Sequence, residues 1–254
     1  MTMIPAGVIQ QQRDHFNLSV EKADRRIELG AEKMNLMSSA LNNGVSDAHG
    51  PHVAEKRLGR GDIHSNAYMQ VLSGSETTAT ALSGMTYYLW QNPSVMQALT
   101  SEIRSSFANI HEITIQLTSI LRYLDTVIHE GLCIYPPFAA GSHRIAPKGG
   151  GWVDRHFVPE GMHVYAHHYA TYHSPAFFAL PSKCHPERWL NTDTRFTGDQ
   201  FDGVRPFGLG PRMCIGQNLA WAEMRLVLCS MLFQFDVKLK PECDDWIDQD
   251  VLYV

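Results

Sequence analysis

The chain has 254 residues, 44% hydrophobic and 19% charged, which is enough apolar material for a sizeable core and too much for a disordered chain. A formal net charge of -5 excludes the broad positive field that nucleic-acid binding draws on. Five cysteines, an odd number without framework spacing, exclude a disulfide scaffold and fit a reducing compartment. The first ten residues lack the long apolar core of a signal peptide or anchor. Residues 1–60 are polar and uneven. Weak helical periodicity runs from Glu21 to Leu41 through Ile27, Met34 and Met37, and Asn42-Asn43-Gly44 opens a loop reaching Gly61. Asp62 is the expected N-cap of a long helix over 62–92. Between Ser65 and Ser101 the only charge is Glu76, and the many Ser, Thr, Asn and Gln residues predict a buried helix of a soluble core, not a membrane span. Pro93, capped by Asn92, opens a second helix reaching about Phe107. A third helix is expected over 117–135, stopped by Pro136-Pro137. Short strands are expected at Trp152-Val153, Phe157-Val158 and His163-Val164-Tyr165, around a turn at Gly149-Gly150-Gly151. Residues 173–205 are Pro-rich, aromatic and irregular. A glycine-rich loop over 206–216 leads into an amphipathic helix over 217–235, whose Leu219, Ala222, Leu226, Leu228, Cys229 and Leu232 are available for burial. Phe235 to Leu239 then alternates like a strand.

The loop carries the most chemistry. Cys214 stands among Gly208, Gly210 and Gly216, at the mouth of a helix whose dipole favours negative charge on sulfur. Arg212 supplies a cation beside it, and the glycines permit close approach of a flat ligand. A soft anionic ligand, a cation and a glycine-lined surface suit a haem iron held by cysteine. The pattern Phe-x-x-Gly-x-Arg-x-Cys-x-Gly fixes five positions, Phe207, Gly210, Arg212, Cys214 and Gly216. At about one in twenty per position, chance gives it roughly once in ten thousand chains of this length, which sets aside an accidental buried cysteine. Upstream, Gly74 opens a notch in the long helix, with Thr77 on the same face and Glu76 beside it. A carboxylate and a hydroxyl there suit proton delivery to bound dioxygen; the alternative is a helix–helix contact at Gly74 with Thr77 bonded back to a carbonyl.

The stretch from Pro206 to Gly216 closely resembles the haem-binding loop of the cytochrome P-450 monooxygenases. Ser73-Gly74-Ser75-Glu76-Thr77-Thr78 resembles the oxygen-activating helix of that family, with Ser73 a mild departure. Glu130 matches the first residue of the family's Glu-x-x-Arg, but Cys133 stands where the arginine belongs. Pro186-Glu187-Arg188 matches the element whose arginine joins that pair in a buried triad, and Cys184 replaces a phenylalanine common in the family. The resemblance runs from about Glu21 to Val254 and implies a mainly α fold with a small β portion, cytochrome P-450-like and incomplete. The whole chain, 1–254, is then a single partial domain corresponding to the family's C-terminal half, without its N-terminal half and final strands. Its parts are an oxygen-activating helix (62–92), a Glu-x-x helix (117–135), a meander (173–205), a haem-binding loop (206–216) and a last helix (217–235).

What the resemblance implies for function is a microsomal-type fungal monooxygenase that inserts one oxygen atom of O2 into a small lipophilic substrate in secondary metabolism. It implies heme b with Cys214 as axial ligand, Arg212 on a propionate, Phe207 and Gly208 lining the haem, and Glu76 with Thr77 as the acid–alcohol pair. Arg144 matches a second propionate clamp, with a solvated strand-end arginine as the equal alternative. Electrons would come from NADPH through a reductase, on the cytoplasmic face of the endoplasmic reticulum membrane, although this chain shows no anchor. The second reading is a truncated or degenerate relative without catalysis, at most a weak haem binder. Its ground is Cys133, since losing one member of a buried charge network typically costs on the order of 3–5 kcal/mol.

Overall fold

The computed structural model describes residues 6–29, 38, 45–46 and 58–248, and its contacts divide the chain into two compact units, Met1–Glu76 and Thr77–Val254. The architecture is mainly helical with a few two- and three-residue strands, as the sequence predicts. In the first unit, α1 (Ala6–Glu28) starts well before the expected Glu21. Residues 30–37 and 39–41 of the expected segment lie outside the described residues. Strands β1 (Val45–Ser46) and β2 (Leu58–Gly59) form a parallel pair. The long helix α2 (Arg60–Gln91) begins two residues before Asp62, which is therefore not its N-cap. Asp62 instead reaches back from the first turn, where its Oδ2 accepts the Gly59 N–H at 3.1 Å and satisfies a donor at the helix start. Asp24 of α1 holds Arg60 (3.0 Å) and His64 (2.8 Å) of that same first part of α2.

The expectation of a buried α2 is corrected over its first half. Residues 69–71 and 73–76 are exposed, and a buried face starts at Thr78 and runs through Ala81, Met85 and Leu89. The many polar side chains before Thr78 are thus a solvated face.

The second unit is built on three helices. In α3 (Pro93–Ser106), Val95, Leu99 and Ile103 repeat every four residues and form one buried stripe. It packs with α5 (Arg122–Ile134) and α7 (Gln217–Gln234) around a core that includes Leu124, Ile128, Met224, Leu228 and Leu232. Asn92 precedes Pro93 as expected but does not cap α3; its side-chain amide donates to the Tyr88 carbonyl at 2.8 Å. The expected continuous helix over 117–135 is broken into α4 (Ile115–Thr118) and α5. The break has a tertiary cause: Glu102 of α3 accepts the N–H groups of Tyr123 and Leu124 at 2.9 and 2.8 Å, giving α5 its own N-terminus there. At the far end of α5, Gly84 of α2 lies against Tyr135, and Gly131 lies against Met85, so side chains at either glycine would overlap their neighbours.

The strands form two small antiparallel pairs, β3 (Arg144–Ile145) with β6 (His163–Val164), and β4 (Gly151–Val153) with β5 (His156–Val158). The second pair turns through Asp154 and Arg155, both at positive φ (39° and 66°), as a two-residue hairpin requires. A short helix, α6 (His168–Tyr172), leads into the irregular stretch, which contains one-turn 3-10 segments at Pro186–Leu190, Thr194–Phe196 and Phe201–Gly203. The strand expected over 235–239 is not formed. The Phe235 carbonyl instead accepts from Arg104 at 3.2 Å, which also takes the Leu232 carbonyl (3.0 Å) and Asp236 (2.8 Å) and so finishes α7.

Candidate functional site

The cysteine loop is a series of turns fixed by two glycines. Gly208 and Gly210 adopt φ of 75° and 78°, a region where a side chain is strained. One 3-10 turn over Gly210–Arg212 follows, and the Cys214 N–H donates to the Phe207 carbonyl at 2.8 Å, folding the loop back on itself. Cys214 is left free and exposed. Gly216 is the N-cap of α7, and a methyl group placed on it would sit 3.8 Å from Cys214 Sγ. The thiol therefore emerges just before a helix start, with little bulk beside it.

Its surroundings are apolar and open. Leu209 is 71% exposed and Ile215 89%, and Met213 and Leu219 also face solvent. So much clustered apolar surface marks a ligand or partner site. Arg212 and Arg144 are both exposed. Arg144 Nη1 donates to the His143 carbonyl at 2.9 Å, and among the described residues neither arginine pairs with a carboxylate. A soft sulfur donor, an apolar face and two guanidinium groups with charge to spare fit a haem: iron, flat ring and propionates in turn.

The structure joins Cys214 to Phe207 and sets Gly208 and Gly216 around it. Among the described residues it makes no hydrogen bond from Arg144 to the loop. Glu76 and Thr77 are consecutive on α2, the last residue of the first unit and the first of the second; Glu76 is exposed and Thr77 half-buried. A Cβ built on Gly74 would meet nothing within 4 Å, so the notch is open rather than a helix–helix contact.

The buried charge network beneath the site differs from the expectation of a triad short of one member. Glu130 on α5 and Arg188 in the 3-10 turn pair directly at 3.0 Å. Asp199 joins them, with Oδ2 at 2.6 Å from Arg188 Nη1, and all three side chains are 1–2% exposed. Arg188 also donates to the carbonyls of Ala179, Leu180 and Lys183. Glu130 further accepts from the His185 N–H (2.7 Å) and Trp189 Nε1 (2.8 Å), and Asp199 from the Ala179 N–H (2.7 Å). Every acceptor is matched, but two carboxylates share one guanidinium. Burial raises the Glu130 pKa above the ordinary range, against the downward pull of Arg188 and the two N–H donors. The Cys133 and Cys184 thiols are each pushed up to about 12, first by burial and then by the charge of Glu130. Both cysteines are therefore neutral fillers at neutral pH.

Sequence reasoning missed Asp199, which lies in no motif and meets Arg188 only through folding. It also passed over His129 and Trp189, which adjoin Glu130 and Arg188 and were findable as motif neighbours.

The cytochrome P450 family profile matches residues 6–251. The chain is 39% identical over its full length to the cytochrome P450 monooxygenase astA of Talaromyces wortmannii, covering 50% of that protein. It is 37% identical to efuB of Hormonema carpetanum over 99% of the chain and 49% of that protein. It is 35% identical to the trichothecene C-15 hydroxylase of Fusarium sporotrichioides over 99% of the chain and 50% of that protein. The chain spans about half the length of the curated relatives it matches.

Proposed function

The chain belongs to the cytochrome P450 family, and we propose that it supplies the thiolate, the propionate cations and the proton-delivery pair of a haem-dependent monooxygenase acting on a small lipophilic metabolite. The observation that carries this reading is an exposed Cys214 in a glycine turn, surrounded by uncovered apolar side chains and accompanied by Arg212. When bound, the haem activates O2 so that one oxygen atom enters the substrate, with electrons drawn from NADPH through a reductase. Cys214 Sγ would hold the iron as a thiolate, with the hydrogen bond from the Cys214 N–H to the Phe207 carbonyl keeping the loop folded beneath it. Arg212 and Arg144 each offer a guanidinium to a propionate. The Thr77 hydroxyl and the solvated Glu76 carboxylate pass protons from water into the site. Leu209, Met213 and Ile215, exposed here, would exclude water from the face that the haem covers. The trichothecene in the name of the Fusarium sporotrichioides relative supports secondary metabolism as the setting.

The test is haem titration of the 254-residue chain, followed by the spectrum of the reduced CO complex. The expected result is a thiolate-type Soret shift that disappears in Cys214→Ser. Absence of haem uptake at excess haem would sink the reading and favour the non-catalytic one.

A further inference from the structure

Two tryptophans line one cavity of about 430 Å3 beside the cysteine loop, Trp189 from the 3-10 turn at Pro186–Leu190 and Trp221 from α7. The cavity shares Phe207 and Met213 with that loop, and both indoles are half-buried, within reach of small solutes. The rings form a continuous line. Phe207, whose carbonyl takes the Cys214 N–H, lies 6.5 Å from Trp221 between ring centroids. Trp221 is 4.7 Å from His129, and His129 is 5.0 Å from Trp189.

The two indoles have opposite electrostatic settings. Over Trp221 sits the Arg225 guanidinium, 4.9 Å from the ring and anchored to Asp125 at 2.7 and 3.1 Å. A cation there attracts the electrons of the neutral ring but opposes any positive charge on it. Trp189 Nε1 instead donates to Glu130 Oε2 at 2.8 Å, within the distance for proton transfer. Glu130 and Asp199 share the single cation of Arg188 in a buried cluster, which leaves net negative charge beside Trp189. An indole that has lost an electron readily releases its N–H proton, and this hydrogen bond leads that proton to a carboxylate. Burial, which raises the Glu130 pKa, suits the group to hold it. Once Glu130 is neutral, Arg188 still has Asp199 at 2.6 Å.

We propose that Trp189 is a proton-coupled redox site, a one-electron sink for peroxide-derived and similar radical oxidants that enter the cavity. The oxidant takes one electron from the indole and leaves as its anion. The Nε1 proton passes to Glu130 Oε2, and a neutral indolyl radical remains. No bond between heavy atoms forms or breaks. Oxidising charge that lands first on Trp221 crosses His129 to Trp189, away from Cys214. The site needs no haem and stands independently of the haem reading.

The test is radiolysis of the haem-free 254-residue chain with azide radical, in the presence of a nitroso spin trap that bonds to carbon-centred indolyl radicals. Peptide mass mapping then locates the adducts, and the exposed Trp152 records the oxidant dose. Adducts at Trp189 should exceed those at Trp221 by about tenfold, although both line one cavity. Arg225→Gln, which lifts the cation from Trp221, should narrow that gap severalfold; a gap set by trap access alone would not move. In Trp189→Phe the adduct should shift to Trp221. Far-UV circular dichroism checks that each variant folds, and the ratio in the parent chain decides by itself. Equal labelling of the two indoles, excess at Trp221, or an unchanged ratio in folded Arg225→Gln would each overturn the proposal.

Discussion

Asp199→Asn probes the buried network with almost no change of shape. In the parent, Arg188 Nη1 is 2.6 Å from Asp199 Oδ2, with both side chains 1–2% exposed. At an effective dielectric of about 20, that separation corresponds to roughly 6 kcal/mol of attraction, and the loss of hydration on burial offsets much of it. What remains is the penalty of leaving Arg188 without its second carboxylate, on the order of 3–5 kcal/mol when a buried pair is broken. For a unit of this size each kcal/mol moves the melting temperature by about 2–4 °C, so a fall on the order of 10 °C is expected. Thermal unfolding followed at 222 nm, with the urea midpoint as a second reading, measures it. Asp193→Asn is the matched control, because the Arg195–Asp193 pair at 2.6 Å is solvated, and its loss should leave the melting temperature unchanged. The competing account treats Asp199 as a surplus negative charge, since Glu130 and Asp199 face only one cation. On that account Asp199→Asn is neutral or stabilising. A shift of under 2 °C would refute the view that Asp199 completes the network.

Cys133→Arg restores a second cation three residues after Glu130 and should raise the melting temperature by balancing the two carboxylates. An unchanged or lower value would mean that crowding against Tyr172, Phe178 and Val204, typically about 1–3 kcal/mol for overpacking, decides the site. His168, His173 and His185 have pKa values held below 6.5, chiefly by burial, so their neutral forms are favoured in the fold. Stability is then fully present above about pH 6.5 and falls as the pH drops below it. A melting temperature that is flat from pH 8 to 7 and declines toward pH 5, less steeply in His168→Gln, is the expected profile; a flat profile throughout would contradict it. Arg155 sits exposed at φ 66° in the β4–β5 turn, and Arg155→Gly should stabilise by about 1 kcal/mol by removing that strain. Differential scanning calorimetry would show a rise of a few degrees, and a fall would show that the turn is not strained.

The hairpin and the helix ends show where local rules suffice. Pro93 starts α3 and Pro136 follows α5, because proline fixes its own φ and lacks a donor wherever it stands. The stripe of Val95, Leu99 and Ile103 is equally local. Distant partners decide the rest. Glu102 cuts the 117–135 helix in two, Arg104 takes the carbonyl that an expected strand would have used, and Asn92 turns back to Tyr88 instead of capping. The exposure of Glu76 belongs to the same class, because an uncharged helical run reads as buried until its neighbours are known.

By itself the sequence determined the loop around Cys214, because glycine freedom, a helix start and the order of Arg212 and Cys214 are properties of adjacent residues. Apolar periodicity marked individual helices such as that over 217–235, and the mainly helical class followed from the family resemblance. Only the tertiary structure decided how the buried charges balance. Cys133 removes a cation expected on α5, and Asp199, eleven residues beyond Arg188 and in no motif, supplies a second carboxylate instead. Long-range Coulomb pairing in a water-free interior depends on separation in space, and residue spacing along the chain does not encode it.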